Sequence, residues 1–325
     1  MRRRDFIGLL GGAVASSPLP AFAQGSWTRP LIVISVGGSK ARTGWYFGGF
    51  LQGMRELGYA EGVDYGLEVR YADGRFDSIP AQMDELVRLK PDIIVSGTTA
   101  AALAAKKLTV PIVSVTLVDP IGFGMAASQA RPGGNVTGVM LMVEDLPTKL
   151  LELALETVPG ADRIGLLVNP TNPIHPGLQR SLEVAARAHG VELVGSEAST
   201  LDGLYAALQR LARGRVKIVL ILQDTMFLNE RKRIALFAMA QRLPTIFGFR
   251  EGVEEGALIS YGVNLRESWR RAASFVDKIL RGAKPGDLPI EFPTKLELLI
   301  NLITARALEL TIPPTLLTRA DDVIE

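Results

Sequence analysis

The chain of 325 residues contains no cysteine and two histidines, His175 and His189. The first absence excludes a disulfide framework, a thiolate metal centre, a cysteine nucleophile and a lipid-modified cysteine after an export signal. The second excludes a histidine-rich metal carrier. His189 falls at the end of a predicted helix, where the dipole accounts for it, and His175 is expected on a surface loop. No G-x-x-x-x-G-K-[ST], G-x-S-x-G or H-E-x-x-H is present, so no catalytic residue, cofactor or metal is expected. The 122–127 stretch, GFGMAA, matches a dinucleotide fingerprint, with Glu144 downstream as the ribose contact. The helix it would open is broken at 131–134 (RPGG) after about two turns, too short for a phosphate-binding crossover.

Charge runs and low-complexity tracts are also missing, and the formal charge is only +2. Nothing points to nucleic acid or an anionic membrane. No apolar run approaches the ~20 residues of a spanning helix. The first 24 residues, MRRRDFIGLLGGAVASSPLPAFAQ, instead combine an arginine-rich start, a modest apolar stretch, two prolines and an A-x-A site. They predict an export signal over 1–23 cleaved after Ala23, hence a periplasmic protein. The order Arg3-Arg4-Asp5-Phe6 also resembles a twin-arginine signal. Without Arg2, Arg3, Arg4 and Asp5 the remaining chain carries no net formal charge.

What is present is apolar and repetitive: 47% of residues are hydrophobic, and the length points to two lobes rather than one core. The stretch 90–120, KPDIIVSGTTAAALAAKKLTVPIVSVTLVDP, reads as a buried strand, a Gly-Thr-Thr turn, a short alanine-rich helix and a second buried strand. Its apolar runs are continuous, as in parallel strands covered on both faces. Ligands of such sheets bind beyond the carboxyl ends of the strands. There, Thr98 and Thr99 offer hydroxyls and free N–H groups at a helix start, suited to an anion, while Asp119 suits a cation. Together they fit a zwitterion. The β–α alternation begins at 31–36, runs to about 142, and restarts at 163–168. This predicts two doubly wound, Rossmann-like α/β lobes. A late helix, 265–280, with strand units on either side implies several crossings and hence a hinge. The expected division is 27–142 plus about 263–283 for lobe 1, and 143–262 plus about 284–325 for lobe 2. Asp77 or Ser78 is the expected cap of the helix near 80–88, and Asp202 that of the helix after it in lobe 2.

Several segments carry a family resemblance: ELGYAEGVDYGLEVRYADGRFDSIP (56–80), LKPDIIVSGTTAAALAAK (89–106), DPIGFGMAASQARPGGNVTGV (119–139), GFREGVEEGALISYGVN (248–264) and ALELTIPPTLLTRADDVIE (307–325). Over nearly the whole chain after the signal, the sequence resembles the ABC-transporter substrate-binding proteins of the tryptophan/tyrosine-binding type, within the type I periplasmic binding proteins. The resemblance implies a non-enzymatic monomer whose lobes close around a small-molecule solute, an amino acid among the candidates, and deliver it to an inner-membrane ABC permease. It also implies that Gly37, Gly38, Ser39, Thr98, Thr99, Asp119, Asn169, Asn172, Asp224, Thr225, Phe249 and Arg250 face the cleft. A solute carboxylate would sit at Thr98 and Thr99 and its ammonium near Asp119 or Asp224, with Trp45, Tyr46, Phe227 or Phe249 around the side chain. Plainer roles stand beside these: Thr98, Thr99 and Asp224 as helix caps, Asp119 before Pro120 as a turn starter, and the aromatics as core. A second functional reading is an extracytoplasmic sensor presenting its closed form to a membrane receptor.

Overall fold

The computed structural model describes residues 29–141, 145–293 and 295–325. The expected export signal, its cleavage site and Glu144 lie outside the described residues. The chain opens with β1 (Leu31–Val36), α1 (Lys40–Glu56), β2 (Gly66–Tyr71), α2 (Ile79–Arg88), β3 (Ile93–Ser96), α3 (Thr99–Ala105), β4 (Ile112–Leu117) and β5 (Val136–Met140). These strands form a wholly parallel sheet in the order β2-β1-β3-β4-β5. β1, β3 and β4 are buried along their whole length, which is why their sequences are unbroken runs of Ile, Val and Leu with serines tucked between.

The second lobe comprises α4 (Leu146–Thr157), β6 (Arg163–Val168), α5 (His175–Ala188), β7 (Glu192–Glu197), α6 (Leu201–Arg213), β8 (Ile218–Ile221), α7 (Thr225–Asn229), α8 (Arg231–Ala240), β9 (Thr245–Phe247), α9 (Glu251–Glu254) and β10 (Ile259–Gly262). After α10 (Leu265–Leu280) come β11 (Glu297–Asn301), α11 (Leu302–Ala307), α12 (Pro314–Arg319) and β12 (Asp322–Ile324). The second sheet runs β12-β11-β10-β9-β8-β6-β7, with β11 antiparallel to β10 and the other pairings parallel. The protein is therefore two doubly wound α/β lobes, and its final segment, from Pro314 onward, adds a helix and an edge strand to lobe 2.

α10 belongs to lobe 1 although it follows lobe 2 in sequence. It lies against α1 so closely that a Cβ at Gly53 would stand 2.6 Å from the Arg270 carbonyl oxygen, and one at Gly49 would collide with that of Arg266. Two glycines one turn apart on α1 thus permit the backbone contact. Arg270–Glu56 (2.8 Å) and Arg266–Gln52 (2.8 Å) bonds flank it. Trp269, 1% exposed, is driven from this interface into the lobe core.

The segment after α10 stays with lobe 1 for longer than the boundary near 283 anticipates. Gly133 N–H donates to Gly286 O (3.0 Å), Ile290 N–H to Gln129 O (2.8 Å), Glu291 N–H to Gly138 O (2.9 Å), and Thr137 Oγ1 donates to Leu288 O (2.8 Å). The unpaired edge of β5 captures this stretch before the chain returns to β11. Three passages consequently join the lobes: after β5, between β10 and α10, and between Glu291 and β11.

Two expected caps differ. α6 is capped by Thr200, whose extended backbone lets Oγ1 accept from Gly203 N–H (3.1 Å), leaving Asp202 in the first turn. α2 is entered through a 3-10 turn, so neither Asp77 nor Ser78 supplies a side-chain cap; Ser78 Oγ instead donates to Arg75 O (2.9 Å).

A Gly53→Val substitution is expected to lower stability by about 1–3 kcal/mol through overpacking of the α1–α10 contact. The urea-unfolding midpoint measures this, and an unchanged midpoint would contradict the packing described.

Candidate functional site

In lobe 1, chain connections leave β1 toward β2 on one side and β3 on the other, so the crevice opens at the carboxyl ends of β1 and β3. Those ends are 37–39 and 97–99. In lobe 2, β6 stands between β7 and β8 in the same way, and its ends are 169–172 and 223–225. The two crevices meet. A Cβ at Gly37 would fall 2.6 Å from Cγ2 of both Thr98, in its own lobe, and Thr225, in the other. Arg42 of α1 pairs with Glu230 across the same seam at 3.1 Å. The lobes are thus in contact around a narrow cavity of about 40 Å³.

Thr98, Thr99, Asn172, Asp224, Thr225, Phe249 and Tyr46 line this cavity. Several also do structural work. Thr98 Oγ1 accepts from Ala101 N–H (3.1 Å) as the cap of α3, and Thr99 Oγ1 donates to Thr116 O (2.7 Å). Asp224 is buried and caps α7: Oδ1 accepts from the N–H groups of Met226 (2.8 Å) and Phe227 (3.1 Å). Its Oδ2 accepts from Asn169 Nδ2 (3.0 Å) and Asn172 Nδ2 (2.9 Å). Lining the cavity and holding the local backbone therefore coincide on the same side chains.

Burial raises the Asp224 carboxyl above the ordinary range, opposed by His175, Asn172 and the two backbone N–H groups. His175, expected on the surface, is fully buried at the start of α5. Its Nδ1 accepts from Asn169 N–H (2.8 Å), so the proton lies on Nε2, which donates to Gln223 O (3.2 Å). Burial depresses its pKa despite Asp224, and the ring is neutral. The histidine is a brace between two cavity loops.

Other expected residues stand off the cavity wall. Gly38 is buried next to Tyr46, Thr43 and Asn229. Ser39 works through its carbonyl, which accepts from Arg42 and Thr43 N–H groups (3.0 and 3.1 Å). Trp45 packs edge-on against Tyr46, ring centroids 4.9 Å apart. Asn169 is buried behind Asp224, and Phe227 sits in the lobe 2 core. Arg250 is held by Glu254, Glu297 and Asp322. Asp119 is exposed with φ +43, and its Oδ1 accepts from Gly122 N–H (2.9 Å) in a local turn. It borders a wider groove between 118–123 of lobe 1 and 173–181 of lobe 2, which adjoins the cavity at Ile174.

The cavity also gathers residues that sequence reasoning had not assigned to it. Trp269, stacked on Tyr46 (centroids 5.9 Å, 27°), reaches the wall from α10, and Phe76 arrives from the turn before α2. Gln223, at the end of β8, is another; its place at a switch-point strand end was the available signal. Close by, Glu251 opens α9, just after Phe249. It is buried, and neither carboxylate oxygen bonds to another residue. Burial pushes its pKa up to about 7, with Glu254 adding to the shift and Arg231 and Arg250 opposing it. Tyr46 is raised as well, first by its own burial and then by Glu251. Among the described residues no group of three or more acidic or histidine side chains forms a metal site, and no helix is long and apolar enough to cross a membrane.

A fold of two doubly wound lobes meeting at their switch points around one cavity defines a solute-binding class, the type I periplasmic binding architecture. A sequence profile described as "ABC transporter substrate binding protein" matches residues 39–324, and the chain belongs to that family. It is 26% identical over 267 residues to a tyrosine-binding protein of Clostridioides difficile (strain R20291), covering 81% of this chain and 76% of the relative. A conserved domain protein from Vibrio cholerae superposes with a TM-score of 0.84 at 26% identity, covering 90% of this chain and 99% of that one. An ABC domain from Streptococcus pneumonia in complex with L-Trp gives 0.83 at 21% identity, covering 91% and 100%. The family binds solutes and is not enzymatic.

Two consequences are measurable. Asp224→Ala removes the acceptor of Asn169 Nδ2 and of two N–H groups, leaves Asn172 Nδ2 only its long bond to Gln223 O (3.5 Å), and is expected to destabilise the protein by about 2–4 kcal/mol, whatever its effect on binding; a loss under about 0.5 kcal/mol in chemical denaturation would contradict the network. Glu251 holds its proton more tightly when folded, so its contribution to stability is most favourable below pH 4.5 and is lost as pH rises through about 7. Glu251→Gln is expected to remove that decline and to stabilise the protein at pH 8 by up to about 3 kcal/mol. A wild-type stability that does not fall between pH 5 and 8 relative to the variant would refute it.

Proposed function

We propose that this protein is the exported, monomeric solute-binding component of an ABC importer, and that its solute is an amino acid with an aromatic or large apolar side chain. The observation that carries this reading is the cavity at the joined switch points, whose wall combines Tyr46, Phe76, Phe249 and Trp269 with hydroxyl and amide groups from both lobes. Aromatic walls with a few convergent polar groups suit a small amphipathic solute. The relative named for tyrosine binding supports the same class.

In this reading the solute carboxylate lies toward Thr98 and Thr99. The ammonium lies toward lobe 2, where Asp224 is the charged side chain on the wall among the described residues. Because Asp224 already accepts four hydrogen bonds, it acts on the ammonium mainly through its field. Both lobes contribute wall, so a solute gains its full set of contacts only when they are closed and shifts the population to that state. The closed form is what an inner-membrane permease would recognise, and the arginine-led leader of the sequence fits delivery to the periplasm.

Small-angle scattering tests closure. Saturation with a solute found by thermal-shift screening of amino acids should reduce the radius of gyration. Gly37→Ala, whose new methyl would press on Thr225, should bind more weakly and compact less. If no amino acid raises the melting temperature or compacts the protein, the reading fails.

A further inference from the structure

Gln223 is 3% exposed on the cavity wall, and neither its Oε1 nor its Nε2 has a hydrogen-bond partner. Its backbone is firmly held: the carbonyl accepts from His175 Nε2 (3.2 Å) and Asn172 Nδ2 (3.5 Å). The amide alone is left open. Buried amides are ordinarily satisfied, since desolvation without a new bond is costly, so a chain that keeps one open at a ligand cavity is keeping it for a ligand.

The surroundings fix where that amide can be. A Cβ at Gly248 would lie 2.5 Å from Gln223 Cδ, and one at Gly262 would lie 3.8 Å from Nε2. Two glycines at the carboxyl ends of β9 and β10 therefore make the shelf on which the side chain rests, at the strand ends where solutes of such sheets sit. Thr225, two residues on, adds a second buried and unpartnered group, its Oγ1, on the same wall. The rest of the wall sets Phe249, Leu265 and Trp269 beside Asp224, Asn172 and Thr98, and among the described residues no lysine, arginine or histidine side chain lines it.

We infer that Gln223, assisted by Thr225, is the specificity-determining residue of the cavity, and that it reads a neutral hydroxyl or carboxamide carried by an otherwise apolar solute side chain. The carboxamide offers two donors and an acceptor, and the threonine hydroxyl one donor and an acceptor. They match a group that both gives and takes a hydrogen bond, and they give a carboxylate or ammonium no opposite charge. The asymmetry of such sites supplies the selectivity: an analogue that lacks the group leaves the amide buried and unpaired. The inference rests on the proposal that the solute occupies this cavity, and it narrows the solute to the hydroxyaryl or carboxamide amino acids.

Calorimetric titration of the protein with two matched pairs tests it: L-tyrosine against L-phenylalanine, and L-glutamine against L-methionine. In the pair that binds, the polar member should be favoured by at least about tenfold. Gln223→Met, which keeps the volume, should bring the ratio below about threefold, with Thr225→Val acting in the same direction. The melting temperature of the solute-free Gln223→Met protein should not fall, because no internal bond is lost; a merely structural glutamine would lower it and leave the ratio alone. Equal binding of both members, or a ratio that survives Gln223→Met, overturns the inference. If neither pair binds while another amino acid compacts the protein, the inference falls and the importer reading stands. If no amino acid compacts it, both fall.

Discussion

The Asp224 carboxylate accepts four N–H bonds, two from the loop after β6 and two from the first turn of α7. That one buried charge ties the two strand ends of the lobe 2 switch point into a single wall. His175 completes the brace by joining Asn169 to the Gln223 carbonyl. Lobe 1 achieves the same rigidity differently, with Thr98 capping α3 and Thr99 bonded to the carbonyl of Thr116 on the next strand. Each wall of the cavity is thereby fixed before any solute arrives. What is left to move is the angle between lobes, and three chain passages make that a hinge rather than a tether.

This arrangement separates the polar groups of the cavity into two kinds. Asp224, Asn172, Thr98 and Thr99 are spent on holding the wall, whereas Gln223 and Thr225 retain buried atoms with no partner. The first kind determines where the cavity is. The second kind is free to choose what enters it. Glu251 differs from both, since it lies behind the wall, buried and unpaired, and its raised pKa follows from burial alone being the largest influence.

Much of the fold was legible in the sequence because continuous Val/Ile/Leu runs and intervening helical periodicity encode parallel strands directly. The helix 265–280 was legible to the residue, since its apolar face is strongly periodic and Asn264 caps it. Its place with lobe 1 matches the expected division, which put about 263–283 there; the glycine-mediated contact with α1 is a tertiary fact. The longer stay of 285–291 on the β5 edge was not legible, because backbone pairing at a sheet edge leaves no periodic mark. At the site, strand-end logic pointed to Thr98 and Thr99, and the family resemblance added Asn172, Asp224 and Thr225; the fold brings all five to one cavity. Neither could separate Asp224 from Asp119, since both follow buried strands. Only the fold shows that Asp119 turns into its own local loop. His175 was misjudged for a related reason: a lone histidine after a loop carries no sequence sign of the burial that β6, β8 and α5 impose.

The account depends most on closure of the two lobes around a solute held between them. The absence of native cysteine allows clean spin labelling at Val63→Cys and Val184→Cys, exposed positions on lobes 1 and 2. Pulsed dipolar distance measurement with and without saturating L-tyrosine, or whichever amino acid the titrations identify, is the most direct test. A shift to a single, solute-dependent distance population is predicted. Identical distributions in the two states would contradict the account.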